Sequence, residues 1–245
     1  GTHNYTVTDA NGCTANTSVT VTQPTALTAS ATAGSILCNG GTTTVTVSAS
    51  GGTAPYTGTG TFTVSAGTHN YTVTDANGCT ANTSVNVSEP TALTASATAG
   101  SILCNGGTTT VTVSASGGTA PYTGTGTFTV SAGTHNYTVT DANGCTANTS
   151  VTVTQPTALT ASATAGSILC NGGTTTVTVS ASGGTAPYTG TGTFTVSAGT
   201  HNYTVTDANG CSANTSVNVT EPTALTATAT AGSILCNGGT TTVTV

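Results

Sequence analysis

The sequence predicts an all-β protein built as a tandem array of small sandwich modules, each about 66 residues long. Three observations carry this reading. The stretch GTHNYTVTDANGC at Gly67–Cys79 recurs letter for letter at Gly1, Gly133 and Gly199, always at the same step. A fixed period of that size marks a repeat architecture. Apolar and polar residues alternate through every repeat, which is the period of a half-buried strand, and no segment has the period of a helix. Gly-rich turns then separate the strands at short intervals.

Proline sets the boundaries. Pro24, Pro90, Pro156 and Pro222 each follow a strand-like run and precede Thr-Ala-Leu-Thr-Ala, and proline interrupts a sheet ladder. The repeats are therefore 25–90, 91–156 and 157–222, with the C-terminal part of a repeat at 1–24 and the N-terminal part of one at 223–245. A sequence that opens and closes in mid-repeat is expected of an interior section of a longer protein.

Within 25–90, Leu27, Ala29 and Ala31 alternate with Thr28, Ser30 and Thr32 to give a first strand. Ala33-Gly34-Ser35 turns the chain, Ile36 and Leu37 add core volume, and Cys38-Asn39-Gly40-Gly41 turns it again. Thr42 to Ala49 is the clearest strand, with Val45, Val47 and Ala49 inward and Thr44, Thr46 and Ser48 outward. Residues 50–55 form a loop, and Tyr56 anchors a short strand or bend. Thr61 to Ser65 places Phe62 and Val64 inward. Tyr71, Val73 and Asp75 then alternate with Asn70, Thr72 and Thr74, and Asn77-Gly78 signals a tight hairpin turn in which both residues tolerate a positive φ. Cys79 opens the return strand, with Val85 and Val87 on one face. About six short strands per module suit a small sandwich.

Composition excludes whole classes of function. The chain has no Lys or Arg and a formal charge of −6, so it lacks the cations that phosphate contacts require, and no nucleic acid partner is expected. Anionic membrane surfaces are excluded on the same ground. No apolar run approaches the roughly 18 residues that a membrane span needs, so no membrane insertion is expected in this segment. Disorder is disfavoured by low charge, β-branched enrichment and clear alternation.

The eight cysteines, Cys13, Cys38, Cys79, Cys104, Cys145, Cys170, Cys211 and Cys236, alternate between a shorter and a longer spacing. Two per repeat in a Thr-rich chain predict an oxidised, extracellular disulfide framework. The module boundaries then enclose the pairs Cys38–Cys79, Cys104–Cys145 and Cys170–Cys211. The alternative is pairing at the shorter spacing, as in Cys13–Cys38, which bridges neighbouring modules. No CxxC pair occurs, and each His is remote from any Cys, so no metal site or cofactor is expected. Asp75 and Asn77 resemble a fragment of a calcium loop, but one carboxylate falls short of six to eight oxygen ligands. A turn-forming Asp that accepts backbone amides is the expected role. His69, with its counterparts His3, His135 and His201, has no paired carboxylate or nucleophile and is read as a strand-end residue. No catalytic residue is assigned and no enzyme is expected.

Asn-x-Ser/Thr sequons fall at Asn4, Asn16, Asn70, Asn82, Asn136, Asn148, Asn202 and Asn214, with further ones at Asn86 and Asn218. Alternation places Asn70 and Asn86 on outward faces, where a glycan fits. A chain with 2% charged residues also needs another means of keeping its surface solvated, and covalent sugar supplies it. The strand before each proline reads VTVTQP at Val19 and Val151 but VNVSEP or VNVTEP at Val85 and Val217, so odd and even repeats differ in one acid and one sequon.

These blocks together carry a resemblance. Cys38-Asn39-Gly40-Gly41, then GGTAPY at 51–56, then GTHNYTVTDANGC at 67–79, closing on Pro90, is similar to the SprB repeat family of Bacteroidota surface proteins, and the likeness covers every module. The segment between Tyr56 and Phe62 is shorter than in typical members. The resemblance implies secreted, multi-repeat cell-surface proteins with immunoglobulin-like modules, some of them adhesins linked to gliding motility. The expected function is that of a non-enzymatic structural repeat region in an extracellular filament or cell-surface fibre. Copies of the chain are its partners along or across the fibre, which is built either as a single long chain that threads the modules, the favoured route, or from short chains that complete a module between them by donating strands. The alternative is the stalk of a cell-surface adhesin involved in attachment or gliding.

Overall fold

The computed structural model describes residues 1–245 and contains strands, turns and loops with no helix. The chain forms two compact units, one of Gly1–Ser96 with Val113–Gly126 and Asn136–Thr149, the other of Ala97–Thr112 with Thr127–His135 and Ser150–Val245. Repeat 25–90 lies whole in the first and repeat 157–222 whole in the second.

In the first unit, β1 (Thr2–Thr8) and β2 (Thr14–Thr20) form the hairpin of the opening partial repeat. Repeat 25–90 follows with β3 (Thr28–Ala33), β4 (Thr43–Ser50), β5 (Gly60–Val64), β6 (Gly67–Thr74) and β7 (Thr80–Val87). The first three make an antiparallel sheet in the order β3-β4-β5, and the last two make a hairpin. The two sheets pack face to face as a small sandwich, over a core of Ile36, Val45, Val47, Val73 and Val87. Alternation accounts for this: Val45 and Val47 are buried while Thr44, Thr46 and Ser48, which alternate with them, are exposed. On the exposed face, cross-strand hydroxyls pair, as with Ser30 and Ser48 at 2.8 Å. Thr57 bridges Thr74 as an isolated pair, where a short strand or bend was expected after Tyr56, so the repeat has five strands and not about six.

The middle repeat supplies β8 (Thr94–Ala99), β9 (Thr109–Ser116), β10 (Gly126–Val130), β11 (Gly133–Thr140) and β12 (Thr146–Val153). In the second unit, β13 (Thr160–Ala165), β14 (Thr175–Ser182) and β15 (Gly192–Val196) form one sheet of repeat 157–222, and β16 (Gly199–Thr206) with β17 (Ser212–Val219) forms its hairpin. The core repeats as Ile168, Val177, Val179, Val205 and Val219. A last short pair, β18 (Thr230–Ala231) and β19 (Val243–Thr244), follows.

Three details differ from the sequence reading. Leu37, expected in the core, is 56% exposed, because Ile36 alone turns inward from the loop. Phe62 sits at the rim, 37% exposed, with its ring 5.0 Å from that of Tyr71. The hairpin turn is longer than a two-residue tight turn: Asp75 N–H donates to Cys79 O and Gly78 N–H donates to Asp75 O, each at 3.0 Å, and only Gly78 has a positive φ. A three-residue loop with glycine in the left-handed position has this geometry.

Candidate functional site

The ends of each sandwich carry its chemistry. At one end lies the loop between β3 and β4, residues 34–42, which holds Cys38. Asn39 Nδ2 donates to Pro90 O at 3.1 Å and Gly40 N–H to Glu89 Oε2 at 2.6 Å, so this loop is tied to the segment leaving β7. In the next repeat Gln155 Oε1 takes the place of the carboxylate, accepting from Gly106 N–H at 2.7 Å. The Glu/Gln alternation seen in the sequence therefore preserves one acceptor.

At the opposite end lies the β6–β7 turn with Cys79, packed on the β4–β5 loop. Thr53 N–H donates to Asp75 Oδ2 at 3.0 Å, and Asn77 and Cys79 N–H donate to Asp75 Oδ1 at 3.0 and 2.8 Å. Asp141 and Asp207 repeat the arrangement with Thr119, Asn143 and Cys145, and with Thr185, Asn209 and Cys211. Burial pushes the Asp141 carboxyl up, but the backbone donors of Thr119, Cys145, Asn143 and Gly144 outweigh it and hold the group below its ordinary value. The turn-forming role expected of Asp75 is the one it has. Tyr56 OH closes the same end by donating to Gly51 O at 2.6 Å. His69 Nε2 lies 2.9 Å from Ser65 O where β6 begins.

This layout overturns the expected cysteine pairing within modules. Cys38 and Cys79 sit at opposite ends of one sandwich, about 23 Å apart along an eight-residue strand, whereas a disulfide needs Cα atoms within about 7 Å. The bonds join successive repeats instead. Cys38 pairs with Cys145 and Cys104 with Cys211, each with a Cα separation of 5.7 Å. Cys79 and Cys170, expected in disulfides, are free and exposed, as are Cys13 and Cys236.

Each joint has the same polar contacts. Asn143 Nδ2 donates to Leu37 O at 3.1 Å and to Thr119 Oγ1 at 3.0 Å, and the Cys145 sulfur lies 3.4 Å from Leu37 O. Asn209 and Cys211 meet Leu103 O in the same way at 3.1 and 3.5 Å. The loop end of one repeat is thus seated on the hairpin end of the next, with Asp141 or Asp207 fixing the tip that carries the sulfur. The roles of Leu37, Leu103, Asn143 and Asn209 were missed in the sequence. The acceptors are the backbone carbonyls of Leu37 and Leu103, which no residue type in the sequence signals.

The sequon residues Asn70, Asn82 and Asn86 stand on the outward face of β6 and β7, all exposed. Asn82 Oδ1 accepts from Thr72 Oγ1 at 2.7 Å and Asn86 Oδ1 from Thr68 Oγ1 at 3.3 Å, so each amide oxygen is held by the facing strand.

Comparison with known proteins finds no matching protein family and no matching curated sequence. Among solved structures, the chain is similar to the crystal structure of the N-terminal eight Ig domains of Down Syndrome Cell Adhesion Molecule isoform 1.30.30. The match has 9% identity and a TM-score of 0.28, and covers 90% of this chain and 51% of that one.

Proposed function

We propose that this chain is the structural repeat region of an extracellular filament or cell-surface fibre, with modules of the SprB-repeat kind. One observation carries the reading: the disulfides tie each repeat to the next rather than closing a repeat on itself. Disulfides persist in oxidising compartments outside the cytosol, and bonds between repeats serve a string that must hold its joints. The segment between Val87 and Thr94 is too short to behave as a free coil. Covalent glycans on the outward Asn, Thr and Ser residues complete the proposal, since they solvate a surface that has almost no charge.

Immunogold labelling of source cells with an antibody raised against residues 91–156 tests it. Gold along filaments outside the cell is the expected result, and label confined to the cytoplasm overturns the reading. Intact-mass measurement of native material against the 23.3 kDa of this polypeptide, scaled to the chain isolated, tests the sugar. A mass equal to polypeptide alone refutes it.

A further inference from the structure

We infer that the two disulfides form one continuous covalent tie that limits how far the array can be stretched, independently of whether its sandwiches are folded. The first bond closes a ring from Cys38 to Cys145 and the second a ring from Cys104 to Cys211, each spanning a sequence separation of 107. The rings overlap, because the stretch from Cys104 to Cys145 belongs to both.

The overlap determines where tension runs. With the chain held at Gly1 and Val245, the shortest covalent path runs forward from Gly1 to Cys38 and crosses to Cys145. It then returns backwards from Cys145 to Cys104, crosses to Cys211 and runs forward to Val245. That path is about 112 residues long, against about 244 along the backbone, so at roughly 3.6 Å per residue the oxidised limit is about 400 Å and the reduced limit about 880 Å. The length held out of the path equals two whole repeats. Once the tie is taut, the load within the rings falls on the span that contains β9, β10 and β11, while 38–103 and 146–210 stay slack.

Overlapping rings have a signature that separate rings lack. If Cys38–Cys145 is removed and Cys104–Cys211 kept, the path runs directly from Gly1 to Cys104 before crossing, and its limit rises by only about 90 Å, to about 490 Å. Removing both bonds adds about 475 Å to the oxidised limit. Rings closed within each repeat would instead each release about 150 Å when opened.

Single-molecule force spectroscopy on the full chain, held at its two ends and pulled to full extension, tests this. Oxidised wild type should reach about 400 Å and Cys38→Ser/Cys145→Ser about 490 Å. A phosphine reductant added in place cleaves each S–S bond, leaving two thiols as it takes up oxygen from water, and should bring every variant to about 880 Å. Fully extended length does not depend on folding, and reducing wild type in place reads the same two-repeat release without any substitution. A gain of about 150 Å or about 385 Å for the double variant, or a wild-type release that departs from about 475 Å, overturns the proposal.

Discussion

Replacing Cys145 with serine should weaken the array far more than replacing Cys79, although the two residues occupy the same place in identical stretches of sequence. Cys145 closes a ring of separation 107, whereas Cys79 is free. On the chain-entropy model, a ring of that size is worth about 4.8 kcal/mol against the unfolded chain. A domain's whole stability is of that order, about 5–15 kcal/mol. With a urea slope of about 2 kcal/mol per M, Cys145→Ser should lower the unfolding midpoint by about 2 M, and Cys79→Ser should leave it within a few tenths. The chain has no Trp and seven Tyr, so tyrosine fluorescence and far-UV circular dichroism are the probes. Peptide mapping without reductant should show Cys38 joined to Cys145 and Cys79 unlinked. Equal midpoints for the two variants, or a Cys38–Cys79 crosslink in the wild type, would refute the reasoning.

Three further outcomes follow from the sandwich itself. Asp75, Asp141 and Asp207 are held below their ordinary value of 3.8 in the folded chain, so the stability they supply is complete above that value and is lost as the pH falls through the folded values. Unfolding midpoints measured from about pH 6 to pH 2 should drop below about pH 4, and replacing all three with Asn should flatten that acid limb. Val45→Ala removes two carbons from a fully buried site and should cost about 2 kcal/mol by chemical denaturation, from lost burial plus the cavity left behind. Gly52→Ala should cost a similar amount, about 2 kcal/mol, because φ there is +60° and a new Cβ would sit 2.7 Å from Asp75 Oδ2.

Most of the sandwich could be read from alternation. The strands around Val45, Val73 and Val85 fall where the two-residue period puts them, because a buried face on each strand admits one register only. Leu37 was misplaced because hydrophobicity says that a residue is costly to expose but not that the backbone turns it inward, and of the two neighbours only Ile36 is buried. The cysteine pairing failed for a different reason. Module boundaries give nearness in sequence, whereas a disulfide requires nearness in space. The strands already inferred held the answer: Cys38 and Cys79 are separated by β4, β5 and β6, three crossings of an antiparallel sandwich, and an odd number leaves the two residues at opposite ends. Asn143 and Leu37 could not be read as partners, since their bond exists only once two repeats are stacked and a sequence separation of 106 lies between them.

The joint also imposes an order in time. The thiol of Cys38 has no partner until Cys145 has been made, so during synthesis oxidation must trail the growing chain by more than a repeat and a half. Cys79 appears first, in the same local sequence as Cys145, and tempts the waiting thiol with a wrong match. Once β4 to β7 have condensed into a sandwich, the two sulfurs stand at opposite ends of it. A repeat that folds before it is oxidised therefore proofreads its own cysteines, whereas one oxidised while still open has a shorter loop to close and would be trapped with the wrong bond.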